Sequence, residues 1–198
     1  MAQCWGYTMD MLELRFSLPA WVCGYVGEGE VVCGSVEGRM GFVIGASREN
    51  VRRETGGPFA AGVFDSDGKL ISLGVNMVEA SNCSVLHAEI VAIALAQKAL
   101  GRYDLSNGGK EHYELAASTE PCAMCFGAVP WSGVSRLVCG ARDEDARSIG
   151  FDEGPKLANW VEALERRGIT VVRDVLREEA AAVLREYGEG GGTIYNAG

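Results

Sequence analysis

Thr119-Glu120-Pro121-Cys122-Ala123-Met124-Cys125, read together with His87-Ala88-Glu89 upstream, decides how this chain is to be folded. A proline suits the first position of a helix, so Pro121 predicts a helix opening at the two cysteines. Residues three apart share a helix face, which lets Cys122 and Cys125 converge on one metal ion. His87 supplies a third, neutral ligand. Three protein ligands leave a fourth tetrahedral position open to water, the pattern of a catalytic rather than a structural zinc. Glu89, two residues beyond His87, is placed to handle that water's proton. A closed structural site would need a fourth ligand. Cys83, four residues before His87, is the competitor for it, whereas His112 sits beyond a glycine-rich loop.

Working outward, residues 86–100 are rich in alanine and leucine and close on Gly101, predicting a helix with His87-x-Glu89 in its first turn. Residues 113–119 read as a strand feeding the cysteine helix, which Pro130 ends or bends near 129–132. Upstream, residues 36–54 carry a helical spacing of Met40, Val43, Ile44 and Val51, stopped by Gly56-Gly57-Pro58. Residues 59–64 and 69–75 flank Asp65-Ser66-Asp67-Gly68 as strand, turn and strand. Downstream, 135–141 is a buried strand, 156–167 a helix, 169–173 a strand and 175–187 the last helix. Strands alternating with helices make an α/β fold with a sheet covered on both faces. Residues 1–35 form an N-terminal arm, irregular or strand-like over 12–32, and Met9 and Met11 are alternative starts. Residues 36–187 form one domain. Residues 188–192 hinge a C-terminal tail, 188–198, which bears Tyr195.

Composition narrows the function classes. With 198 residues and 47% hydrophobic content the chain can bury a core without disulfides. Of the seven cysteines, the five other than Cys122 and Cys125 (Cys4, Cys23, Cys33, Cys83 and Cys139) show no framework spacing and read as reduced thiols of a cytoplasmic protein. A net charge of −9 argues against a nucleic-acid partner. There is neither a run long enough to span a membrane nor a signal-peptide pattern.

With those residues in view, the chain resembles the zinc-dependent deaminases of the cytidine deaminase superfamily, whose signature pairs histidine-x-glutamate with Pro-Cys-x-x-Cys. Within it the chain is most similar to the guanine deaminases, through Gly56-Gly57-Pro58-Phe59, Asn76, His87-Ala88-Glu89, the segment 120–128, Trp131 and Gly150-Phe151-Asp152-Glu153. The resemblance covers about residue 36 to the end. It implies a three-layer α/β/α fold around a mixed five-stranded sheet. It also implies one Zn2+ per chain held by His87, Cys122 and Cys125, and hydrolysis of guanine to xanthine and ammonia in purine metabolism.

Further roles follow from the same resemblance. Asp152-Glu153-Gly154-Pro155 alone reads as an acidic surface turn, but the resemblance makes Glu153 a second catalytic carboxylate, shuttling a proton to the leaving amine. Asn76, which could equally cap a turn, becomes a partner of the purine edge. Phe59, Trp131 and Phe151 suggest a stacking slot for a flat heterocycle, with the backbone of Ala88 touching substrate. The tail would close the pocket of its own or a partner subunit, and a homodimer is expected. The rival readings are a deaminase of another amino-heterocycle (a triazine such as ammeline, or a nucleoside), a tRNA adenosine deaminase and a non-catalytic zinc module.

Overall fold

The computed structural model describes residues 15–196; the two alternative start methionines lie outside them. The part of the arm that is described is not strand-like. Trp21–Val26 forms a short helix, α1, because Trp21, Val22, Tyr25 and Val26 fall on one helical face and pack on the core. Four glycines between residues 24 and 34 mask that spacing in the sequence. The one strand-like contact in the arm is an isolated bridge from Val32 to Lys69.

Helix α2, Val36–Arg52, starts where the Ser35 hydroxyl accepts a hydrogen bond from Gly38 N at 3.0 Å. Strands β1 (Ala60–Asp65) and β2 (Leu70–Val75) form the expected hairpin. At its turn the Asp65 carboxylate accepts from the amides of Asp67 and Lys69, and Gly68 takes φ +79°. Helix α3 spans Ala88–Leu100 and closes on left-handed Gly101. Strand β3, Tyr113–Thr119, leads into helix α4, Ala123–Ser132. Two expectations shift here. His87 is the residue just ahead of α3 rather than within its first turn, and Pro121 stands two residues ahead of α4. Pro130 sits in the last turn of α4, which ends at Ser132 within the expected bounds and is closed by left-handed Gly133.

Strand β4 (Arg136–Ala141) follows, then helix α5 (Asp143–Ser148), which the sequence reading missed. Its sequence has no apolar periodicity; Asp145, accepting from the Arg142 amide at 2.7 Å, and the ion pairs of Arg147 and Arg177 hold it. Helix α6 is only Trp160–Glu165, since residues 156–159 are loop; β5 is Thr170–Val172 and α7 is Arg177–Glu189. Helix α7 thus runs into the glycine stretch expected to be hinge.

The sheet is mixed, in the order β2-β1-β3-β4-β5, with β1 antiparallel to both neighbours and β3, β4 and β5 parallel. Every residue of the central β3 is buried. Alternate side chains serve opposite layers: Ala116 and Val138 pack with α2 and α7, whereas Leu115, Ala117, Leu137 and Cys139 pack with α3, α4 and α6. This is the expected three-layer arrangement.

The layering directs three chain segments to one end of the sheet. The start of β1, the end of β2 and the end of β3 lie together, as the Ala60 amide donating to the Ser118 hydroxyl at 3.1 Å attests. The N-termini of α3 and α4 open at that same end. Gly74 fixes how closely α3 approaches, because a Cβ there would collide with the backbone of Ala88 and Ala92.

Candidate metal centre and active site

His87 and Cys122 occupy equivalent places, each an extended residue immediately before a helix, with ψ of 155° and 175°. Cys125 follows in the first turn of α4 and is fully buried. The Cys122 Sγ lies 3.4 Å from His87 Nδ1, and the ligand atoms of all three residues fall within 4.8 Å of one another. Ligands about 2.0–2.3 Å from a tetrahedral zinc sit roughly 3.4–3.8 Å apart, so the spacing suits that ion. Among the described residues no fourth His, Cys, Asp or Glu joins the group. Cys83 is tied into a turn, its amide donating to Val78 O and its carbonyl accepting from Leu86 N. His112 is exposed on the loop before β3.

The electrostatics fit a cation. The Cys122 thiol is lowered to about 4, first by a hydrogen bond from the Cys125 thiol and then by His87, against the opposing effect of burial. Cys125, as the donor of that pair, is pushed up, so without metal the two sulfurs share one negative charge. A divalent ion displaces the remaining proton. Burial opposes the charged form of His87, but the Cys122 and Glu89 charges outweigh it and raise its pKa. Two thiols, one imidazole and no fourth side chain are the donor set of a zinc with an open corner.

A cavity of about 380 Å³ opens beside this group, enough for one fused heterocycle. Glu89, in the first turn of α3, lines it, and burial followed by the Cys122 charge raises its carboxyl to about 7. Glu153 also lines it. Far from being a surface turn, its loop is fastened to α4: the Ala123 amide donates to Glu153 O at 2.8 Å. Lys156 Nζ donates to Pro121 O at 3.0 Å and pairs with Asp143 at 2.9 Å. Burial, then Cys122 and Glu89, raise the Glu153 carboxyl to about 8.

Asn76 reaches the cavity from the end of β2. Its backbone N–H donates to Phe59 O at 3.0 Å, and its side-chain Oδ1 accepts from Val78 N at 3.3 Å, which orients the side chain. Phe59 and Phe151 meet edge to face at 5.0 Å, and Tyr195 packs on Phe151 at the same distance. The Tyr195 hydroxyl is buried against Gly57, where no side chain would fit, and has no hydrogen-bond partner among the described residues. Asn196 clasps the loop carrying Glu153, accepting from Asp152 N at 2.9 Å and donating to Gly150 O at 2.8 Å.

Two residues expected at the site are elsewhere. Trp131 is 80% exposed near the end of α4 and does not line the cavity, because Pro130 and the α4 register turn it to the outer face. Ala88 is buried against β2, its carbonyl facing Gly74 rather than the cavity. The sequence reading missed Ser118 and Thr119, which end β3 in the cavity wall. The tendency of α/β sites to gather at the carboxyl ends of strands would have found them.

Comparison with known proteins agrees with this geometry. A profile of the cytidine and deoxycytidylate deaminase zinc-binding region matches residues 38–141. This chain belongs to that deaminase family. The solved guanine deaminase of Nitrosomonas europaea is 47% identical, with a TM-score of 0.86 over 93% of this chain and all of that one. A solved complex with 8-azaguanine, of a variant with one asparagine changed to alanine, is 48% identical, with a TM-score of 0.85 over 89% of this chain and 98% of that one. The guanine deaminase of Bacillus subtilis is 41% identical over 53% of this chain, a match spanning 64% of that protein. The deaminase's metal group gives a direct prediction. Cys125→Ser should drop zinc from about one per chain to under roughly a tenth by elemental analysis after gel filtration, since the oxygen is a poorer partner for this site. Retention of stoichiometric zinc would exclude Cys125 as a ligand.

Proposed function

We propose that this zinc aminohydrolase converts guanine and water to xanthine and ammonia, in purine metabolism. The observation that carries the reading is a pair of buried carboxyl groups, Glu89 and Glu153, facing one heterocycle-sized cavity beside the His87, Cys122 and Cys125 group. The similarity to guanine deaminases supports the choice of base.

Zinc held by the three ligands supplies a Lewis acid that makes water nucleophilic near neutral pH. Glu89, with a carboxyl near 7, takes the attacking water's proton and passes it to the adjacent ring nitrogen. Burial, ahead of any neighbouring charge, holds the Glu153 carboxyl above its ordinary range, so Glu153 is placed to start as the acid and give its proton to the departing amine. The C–O bond forms first, leaving a tetrahedral carbon; the C–N bond then breaks to release ammonia, and the proton left on the new oxygen returns to Glu153, restoring its acid form and giving the lactam of xanthine. Asn76 offers a donor and an acceptor to the lactam edge, and Phe59 and Phe151 hold the ring plane and exclude water.

The rival readings fare less well. A net charge of −9 disfavours tRNA, because phosphate contacts require a basic face. A scaffold role leaves Glu89 buried in the cavity without purpose. Another amino-heterocycle would fit the same cavity, and a substrate panel separates it from guanine.

Two wider features belong to the proposal. The C-terminal tail, from residue 188 onward, acts as a lid, supported by Tyr195 and Asn196 resting on the loop that bears Glu153. The protein forms a homodimer through the outer face of α4, where Met124 and Trp131 are exposed with Gly127 between them. No described helix is long and apolar enough to cross a membrane, and the six described cysteines are free thiols, which supports a cytoplasmic setting.

Ammonia release from guanine, guanosine, adenine, cytosine, cytidine and aminotriazines should be greatest with guanine. Glu89→Gln should lower that rate by about 10²–10⁴-fold with zinc retained; preference for another base, or an active variant, would overturn the assignment. Removing residues 188–198 should reduce kcat/KM for guanine at least about tenfold without loss of zinc, through exposure of the cavity to water. Sedimentation of the intact chain should give a dimer that Trp131→Glu dissociates. Unchanged kinetics would reject the lid, and a monomer would reject the interface.

A further inference from the structure

We infer that Asn50, on the far side of the cavity wall from the reacting groups, is a positioning residue that sets the substrate-reading geometry of Asn76. The inference rests on the proposed role of Asn76. Asn50 lies in the last turn of α2 with no exposed surface. Its Nδ2 donates to Gly57 O at 2.9 Å and to Asn76 O at 3.0 Å. Two carbonyl partners require a donor, so the orientation of the amide is fixed by chemistry. Its Oδ1 accepts from the Thr55 hydroxyl at 2.7 Å, and that hydroxyl in turn accepts from Trp21 Nε1 at 2.9 Å. Every donor of the Asn50 amide is therefore engaged within the protein, and none is left for a ligand.

The two carbonyls belong to the two segments that form one side of the cavity. Gly57 begins the strip leading to Phe59, and Asn76 directly follows β2. Where they meet there is no spare room, because a Cβ on Gly56 would run into Asn76 O and one on Gly57 into the Tyr195 hydroxyl. A second tether, the Ser47 hydroxyl donating to Pro58 O at 2.7 Å, holds the same strip to α2. Asn50 thus fixes the main chain of Asn76 from behind, while the Val78 amide fixes its side chain from the front. Trp21 sits in α1, outside the segment of the family match. Through Thr55 it makes the arm part of the same brace.

If the brace works through Asn76, its loss weakens purine binding and leaves the metal group and its acid–base partners alone. The test is the affinity of the zinc-loaded protein for 8-azaguanine by calorimetry, in a double-mutant cycle of Asn50→Leu and Asn76→Ala, with zinc content measured alongside. Asn50→Leu should weaken binding about tenfold by leaving two buried carbonyls unpaired. The double variant should bind no more weakly than Asn76→Ala alone, since both changes remove the same contact. Additive losses would overturn the inference by assigning Asn50 a general structural role, and so would unchanged affinity in Asn50→Leu. Unchanged affinity in Asn76→Ala would instead overturn the role of Asn76, and the brace with it. If Asn50→Leu does not fold, Thr55→Val serves in the same cycle. It removes the hydroxyl that donates to Asn50 Oδ1 and accepts from Trp21 Nε1, leaves both Asn50 Nδ2 bonds in place, and should give a smaller loss that likewise vanishes in the Asn76→Ala background; a loss that persists there, or none at all, overturns the inference.

Discussion

Two helix N-termini aimed at one point are the constraint around which this molecule is arranged. The positive ends of α3 and α4 favour negative charge where Cys122 and Cys125 stand. That preference needs both helices to open at the same end of the sheet. The sheet order supplies this, because β3 delivers α4 there directly while β2, one strand beyond β1, presses Gly74 against the first turns of α3. Neither helix alone brings histidine and paired sulfurs together; the layering does.

The same geometry places the acids. Glu89 is carried by the first turn of α3 and lines the cavity beside the ligands. Glu153 arrives from the far end of the chain and needs fastening. The Ala123 amide, Lys156 on Pro121 O and Asn196 on the 150–152 backbone hold it from three directions. Both carboxyls are raised by burial first and by neighbouring negative charge second. Enclosure and crowding thus tune two similar side chains to neighbouring values, and their placement separates their roles.

What was legible in the sequence follows from how local each signal is. The hairpin of β1 and β2 was readable because Asp65 to Gly68 is turn chemistry, and α2 because its apolar residues recur at helical spacing. The ligands were readable because spacing alone brings them to helix starts, although His87 and Cys122 prove to stand just before those helices. Helix α5 was not readable, since ion pairs to distant Arg177 replace an apolar stripe. Helix α1 was hidden among glycines. Trp131 misled because an aromatic near a metal motif says nothing of which way its helix face points. Asn50 carried no signal at all, being one polar residue in a helix whose partners, Gly57 and Asn76, lie in other segments of the sequence but adjacent in space.

The account stands on a metal held by three side chains. X-ray absorption at the zinc edge of the loaded protein measures that directly. It should find two sulfur scatterers at about 2.3 Å and two nitrogen or oxygen scatterers at about 2.0–2.1 Å, one of them exchangeable with solvent or ligand. A third sulfur, such as Cys83 would provide, or a shell unaltered by added 8-azaguanine and by pH, would mean a closed structural site and contradict the reading of this chain as a hydrolytic enzyme.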